Sequence, residues 1–223
     1  MTKLVAVAIF CLWSCLGSTA VRAAVDTDMQ FDAQSTDALL IVGSYLGVWS
    51  DDGVPNVTFQ RVDMAAGRFL ENGAYILLSG MRAERLKPVH APPHYYIARV
   101  PAGDYAFTGK TGMERRKNIF GISSDKYTHT CFSKSAAVFH FEPGKIYWVP
   151  VNNVEYSSDH LKAVLAQYTH VQAQTDIAQI TSHVSFDTKH SFMVGLVCGG
   201  AGDSAHVMTP EEVEAAKNAK PEN

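Results

Sequence analysis

Residues 137–149 have the sequence Ala-Val-Phe-His-Phe-Glu-Pro-Gly-Lys-Ile-Tyr-Trp-Val, and residues 95–108 carry a similar phrase, Tyr-Tyr-Ile-Ala-Arg-Val-Pro-Ala-Gly-Asp-Tyr-Ala-Phe-Thr. In each phrase, two runs of strand-forming residues flank a proline and a glycine. Proline presets a backbone angle that turns require, and glycine accepts the positive φ that often follows. Each phrase therefore predicts two strands joined by a tight turn, and we expect both to be β-hairpins.

The strand at residues 146–149 is apolar at every position, so both of its faces should be covered. We expect a helix near residues 159–168 to cover one of them. Ser157 or Ser158 can cap this helix. Its apolar residues recur at helical spacing, at Leu161, Val164, Leu165 and Tyr168.

Further strand patterns lie at residues 38–43, 57–63, 74–79, 181–186 and 191–197, while the prolines of residues 82–93 indicate a loop. The charged residues 110–126 indicate a long excursion, with Arg115, Arg116 and Lys117 near its tip. Thr209 to Glu212 form a capping box with proline at the first helical position, which predicts a short polar helix. The pattern predicts a mainly β protein, an antiparallel immunoglobulin-like β-sandwich with one or two peripheral helices in the C-terminal third.

The N-terminus has the features of a secretory signal peptide. Lys3 precedes an uncharged apolar run at residues 4–16, and small residues follow. Such a run is too short for the roughly 20 residues of a spanning helix. We expect cleavage after Ala23, or after Ala20, and export to the periplasm or cell envelope. A lipid anchor on Cys15, within Leu-Trp-Ser-Cys, is the alternative.

The predicted organisation is a signal peptide at 1–23, a flexible mature N-terminus at 24–37, a β-sandwich domain at 38–198, and a glycine-rich break with a polar helix at 199–223. Removing the signal peptide leaves 17 basic and 22 acidic residues, and only two cysteines, Cys131 and Cys198. In an oxidising compartment, we expect these two to form a disulfide. The other interpretation is a reactive thiol at Cys131 beside His129.

The two turn phrases, Val100–Tyr105 and Phe141–Tyr147, resemble those of small bacterial envelope β-sandwich proteins, the PEGA-like and related uncharacterised periplasmic families. The resemblance covers residues 38–151, and the insert at 109–135 and the chain after residue 152 fall outside it. It implies a sandwich fold and a cell-envelope setting, and it transfers no catalytic residues.

The composition excludes several functions. The chain has 223 residues, 18% of them charged, and a net charge of −3, which does not suggest a general binder of nucleic acids or of anionic membranes. Gly103 and Lys110-Thr111 have the wrong spacing for a phosphate loop. The best metal-ligand trio, His129, Cys131 and His140, conflicts with the disulfide. We predict no catalytic residue, metal or cofactor, and no membrane span.

Candidate binding residues are the aromatic residues Tyr95 and Trp148, which at a surface would stack on a sugar or partner, and the basic run Arg115, Arg116 and Lys117. The leading hypothesis is a non-catalytic binding or interaction module that engages an envelope component or protein partner. The alternatives are a thiol- or metal-dependent enzyme centred on Cys131, with His129 and His140, and a purely structural envelope protein.

Overall fold

The computed structural model describes residues 29–44, 55–70, 75–79, 94–117, 120–121, 123–151, 155–168, 170–187, 198 and 204–219. The predicted signal peptide, the loop at 82–93 and the strand at 191–197 lie outside the described residues.

The described chain is mainly β, as predicted, with two short helices. The strands are β1 (Phe31–Asp32), β2 (Asp37–Ser44), β3 (Pro55–Asp63), β4 (Arg68–Phe69), β5 (Tyr75–Ser79), β6 (His94–Pro101), β7 (Gly103–Lys117), β8 (Ser123–Cys131), β9 (Ala136–Phe141), β10 (Ile146–Val149), β11 (Val171–Gln172), β12 (Thr175–Ile177), β13 (Ile180–Ser185) and β14 (His206–Val207). The helices are α1 (Ser158–Leu165) and α2 (Pro210–Asn218).

Two sheets contain most of these strands. The larger is antiparallel in all its described pairings and has the order β14-β13-β9-β7-β3-β4, with β5 also on β3 and β8 also on β7. The smaller has the order β12-β10-β2-β6 and is mixed, because β10 runs parallel to both β2 and β12. The predicted antiparallel arrangement thus holds for the larger sheet, and the smaller sheet adds two parallel pairings.

The two turn phrases carry the chain from one sheet to the other. β6 belongs to the smaller sheet and β7 to the larger, and β9 and β10 are divided in the same way. The prediction of two hairpins is therefore wrong. The turn chemistry itself is as expected, since Gly103 has φ +144° and Gly144 has φ +69°. A proline and a glycine specify a local reversal, but they do not specify whether the next strand pairs with the last one.

The main core lies between the two sheets, and it explains the alternation along their strands. Its buried residues are Ala38, Leu40, Val42, Val57, Phe59, Ala98, Val100, Tyr105, Phe107, Phe139, Phe141, Tyr147, Val149 and Ala178. A second core lies on the other face of the smaller sheet, where Leu161 and Val164 of α1 pack with Ile146 and Trp148 of β10. The predicted covering helix is confirmed.

A third cluster covers the outer face of the larger sheet. Phe69 packs there edge-on against Phe186, with ring centroids 5.1 Å apart. Ala205 is buried in the same cluster, and β14 pairs with β13, so the C-terminal segment is part of the sheet and not only a break and a helix. The predicted capping box at Thr209 is confirmed. At the other terminus, within the segment predicted to be flexible at 24–37, Phe31 is buried and β1 pairs with β11.

Candidate functional site: a basic two-stranded arm

Strand β7 extends well beyond the sheet that it helps to build. It pairs with β9 over Gly103–Ala106 and with β3 as far as Lys110. From Thr111 to Lys117, β8 is the only strand paired with it in the described part of the chain. At about 3.3 Å per residue, these positions extend the pair by roughly 20 Å. We call residues 111–117 and 123–129, with the turn residues Phe120 and Gly121, the arm.

The arm carries the opposite charge to the rest of the chain. It contains four basic and two acidic residues, so its net charge is +2, against −3 for the whole chain. The strand register places Glu114 opposite Lys126 and Arg115 opposite Asp125. Directly opposed positions are the nearest neighbours across two strands, so these charges offset each other.

The basic positions nearest to the turn lie opposite uncharged residues in the strand register. Arg116 and Lys117 are opposite Ser124 and Ser123, neither of which is charged. The basic run Arg115, Arg116 and Lys117 thus lies near the end of the strand pair. Its last two positions are directly opposite serines, while Glu114 is two positions from Arg116 and Asp125 is two positions from Ser123.

The turn presents a large apolar side chain. Phe120 is 80% exposed, the most exposed large hydrophobic residue among those the structure describes. Sequence reasoning missed this residue, although Ile119-Phe120-Gly121-Ile122 is an apolar run within an otherwise charged excursion and was a usable signal. An aromatic ring exposed beside cations is a common feature of interaction surfaces.

The base of the arm is fixed by a disulfide contact and by aromatic packing. Cys131, the last residue of β8, lies at disulfide-bonding distance from Cys198, with their Cα atoms 5.3 Å apart, as predicted. Gly109 of β7 lies opposite Cys131. If Gly109 carried a Cβ atom, that atom would lie 2.7 Å from the Sγ atom of Cys198. Phe132 packs on Phe107 at 4.9 Å between ring centroids, with the Lys110 ammonium 5.9 Å from its ring.

The charges at the other end of β7 are paired. There, His140 Nδ1 lies 2.7 Å from Asp104 Oδ1, and Arg99 lies 2.8 Å from Asp37. Lys145 lies 2.9 Å from Glu142 and lowers the pKa of that exposed carboxyl by hydrogen bonding. The turn regions are therefore flanked by ion pairs, whereas Arg116 and Lys117 lie opposite uncharged serines in the strand register.

The two predicted aromatic residues lie elsewhere. Tyr95 is on β6, where its backbone is paired with Gly43 of β2. Trp148 is fully buried in the second core, and its ring contacts Tyr156 edge-on at 5.9 Å. The prediction that Trp148 offers a stacking surface is wrong, because α1 covers that face of β10. The predicted binding residues do not form one site.

The predicted thiol or metal centre is not assembled. Cys131 is placed as a disulfide partner of Cys198 and not as a free thiolate. Cys131 lies opposite Gly109 on β7, whereas His140 lies opposite Asp104. Five strand positions separate these two points, or about 17 Å. Among the described residues, no group of three His, Cys, Asp or Glu side chains is arranged to bind a metal ion.

A second surface feature is an open groove of about 660 Å³ beside the third core cluster. Its lining includes Lys134, Asp187 and His206 together with serine hydroxyl groups and Phe186. His206 Nε2 contacts Glu212 Oε1 at 3.0 Å, so one imidazole nitrogen is already used by α2. The groove contains charges of both signs and does not select one class of ligand.

Comparison of the chain with known protein families, with curated proteins and with solved structures finds no match. Neither helix in the described residues is long and apolar enough to cross a membrane.

Proposed function

We propose that this chain is an exported, non-catalytic binding module that engages an anionic component of the cell envelope through its arm. The observation that carries the proposal is the position of Arg116 and Lys117 at the end of a projecting strand pair, opposite uncharged residues. Cations in such a position attract polyanions, and the net charge of the arm as a whole is +2.

The length of the arm separates this charge from the acidic remainder of the chain. Surface charges are largely screened beyond a Debye length, about 8 Å at physiological ionic strength. The arm extends roughly 20 Å beyond its last pairing with β3. An anionic partner at the tip is therefore shielded from the net negative charge of the sheets.

Export is supported by the signal-peptide pattern at residues 1–23 and by the disulfide-distance pair, because disulfides persist in oxidising compartments. We also propose that the fold is an immunoglobulin-like sandwich related to the PEGA-like envelope families. The common core of the two sheets supports this, as does the hydrogen bond from the Tyr105 hydroxyl to the Pro101 carbonyl, similar in kind to a tyrosine corner.

The test measures binding of the full chain to two anionic probes, immobilised dextran sulfate and vesicles that contain phosphatidylglycerol, at low and high salt. The arm variant is Arg115→Gln/Arg116→Gln/Lys117→Gln. The matched control is Arg68→Gln/Lys162→Gln/Lys217→Gln, which removes the same charge from exposed positions on β4, α1 and α2. Cations near an anionic surface contribute about 1 kcal/mol each, so the arm variant should bind on the order of a hundredfold more weakly.

Binding that is lost at high salt and weakened only by the arm variant supports the proposal. Equal weakening by both variants shows a general charge effect and contradicts it. Absence of binding to either probe also contradicts it and favours the alternative of a purely structural envelope protein.

A further inference from the structure

We propose that the partner of the arm is the surface of an anionic phospholipid bilayer, with the Phe120 ring inserted at the boundary between headgroups and acyl chains. This inference rests on the proposed function and specifies its partner. A polyanion alone would account for the cations but not for a large apolar side chain that is 80% exposed at the turn.

The order of residues along the arm matches the layers of a membrane leaflet. Lys117 and Phe120 are three positions apart, so their Cα atoms are separated by at most about 10 Å. The headgroup region of each leaflet is about 5–8 Å thick. When Phe120 reaches the acyl boundary, Arg116 and Lys117 therefore lie at the depth of the phosphates.

The backbone at the turn suits a partner that approaches from the end of the arm. Gly121 has φ +74°, and a Cβ atom built on it would contact nothing within 4 Å. The space beside Gly121 is therefore open, and a planar surface has room to approach the turn there.

Binding by this route should be weak and reversible. One aromatic ring and two or three cations provide less membrane affinity than the two anchoring signals that stable attachment requires. Docking is then sensitive both to the charge of the lipid and to the Phe120 side chain, and loss of either one should reduce it.

The test measures partition of the full chain onto vesicles of pure phosphatidylcholine and onto vesicles that also contain phosphatidylglycerol. All variants share the same N-terminus, identified by intact mass, so any contribution from that segment is constant. Phe120→Ser should reduce partition onto the anionic vesicles about tenfold. The control Ile180→Ser removes another exposed apolar side chain, 54% exposed and outside the arm, and should leave partition unchanged.

A second readout locates the ring without relying on the stability of the serine variant. In Phe120→Trp, acyl chains brominated near the headgroup should quench the additional tryptophan emission relative to the parent protein. Quenching that requires phosphatidylglycerol supports insertion.

Two results overturn the inference. If Phe120→Ser binds the anionic vesicles as the parent does and the tryptophan is not quenched, the ring does not enter a bilayer. If dextran sulfate is bound through the arm while anionic vesicles are not, the partner is a polyanion or a protein, and the proposed function stands without this inference. Loss of both kinds of binding would remove the proposed function itself.

Discussion

The hydroxyl group of Tyr105 donates a 2.9 Å hydrogen bond to the carbonyl oxygen of Pro101, across the turn where the chain passes from the smaller sheet to the larger one. The second turn phrase uses a tyrosine in the opposite sense. There, the hydroxyl oxygen of Tyr147 accepts a 3.1 Å hydrogen bond from the backbone N–H of Glu142. In both turns, the hydroxyl group of a buried tyrosine is thus hydrogen-bonded to the turn backbone that precedes it in the sequence.

Replacing Tyr105 by phenylalanine should destabilise the protein by about 1–2 kcal/mol, because the Pro101 carbonyl loses its partner while the ring packing is retained. Urea denaturation measures the change. Tyr156→Phe is the matched control, since this tyrosine is 42% exposed and should change the free energy of unfolding by less than about 0.5 kcal/mol. Equal effects of the two substitutions would contradict a role for the Tyr105 hydrogen bond.

The same hydroxyl group should make stability depend on pH at the alkaline end. Burial raises the pKa of Tyr105 from 10.0 to about 12, although the nearby Arg61 opposes the shift. The unfolded chain therefore releases this proton from pH 10, whereas the folded chain keeps it until about pH 12. The free energy of unfolding should fall across this window by about 2–3 kcal/mol and be unaffected by this group at lower pH.

The measurement for this pH effect is the difference between the parent protein and Tyr105→Phe in denaturation experiments across the window. The difference isolates Tyr105, because burial also raises the pKa of Tyr147 and that contribution is common to both proteins. A constant difference from pH 9 to 12 would show that Tyr105 ionises equally in the folded and unfolded chains.

Removing the disulfide should destabilise the fold substantially. Cys131 and Cys198 are separated by 67 residues, and closing a loop of that length stabilises a protein by about 4 kcal/mol on the chain-entropy model. The double variant Cys131→Ala/Cys198→Ala tests this by urea denaturation. A reductant should destabilise the parent protein and leave the double variant unchanged. Free thiols at these two positions in the native protein would contradict the pairing.

Gly144 should be far less tolerant of a side chain than Gly121, although both have positive φ, +69° and +74°. A Cβ atom at Gly144 would collide with the backbone carbonyl of Ala33, whereas one at Gly121 would meet nothing within 4 Å. Gly121→Ala should cost about 1–2 kcal/mol from the left-handed conformation alone. Gly144→Ala should cost at least 1 kcal/mol more in thermal or urea denaturation, and equal costs would contradict the collision.

Some of this architecture could be predicted from the sequence because the signals are local. The apolar strand at residues 146–149 requires cover on both faces, and Leu161 and Val164 provide it at helical spacing. The capping box at Thr209 is likewise contained within four residues. Such features depend on periodicity and on nearby hydrogen bonds, which the order of residues determines directly.

The pairing of the strands and the binding site depended on long-range contacts. Pro101 and Gly103 specify a reversal, but whether β7 pairs with β6 depends on β3 and β9, which compete for its edges. Trp148 could not be placed from the sequence, because the covering helix was predicted but the face of β10 that it covers was not. Phe120 was overlooked because an apolar residue within a charged segment can be core or surface, and only the tertiary fold decides.

The chain passes directly between the two sheets at three places, after Pro101, after Phe141 and after Ile177, with at most four residues in each passage. We therefore expect neither layer to melt while the other stays folded, since every short crossing joins a strand of one sheet directly to a strand of the other. Calorimetry should accordingly record a single transition for this body, with equal calorimetric and van't Hoff enthalpies.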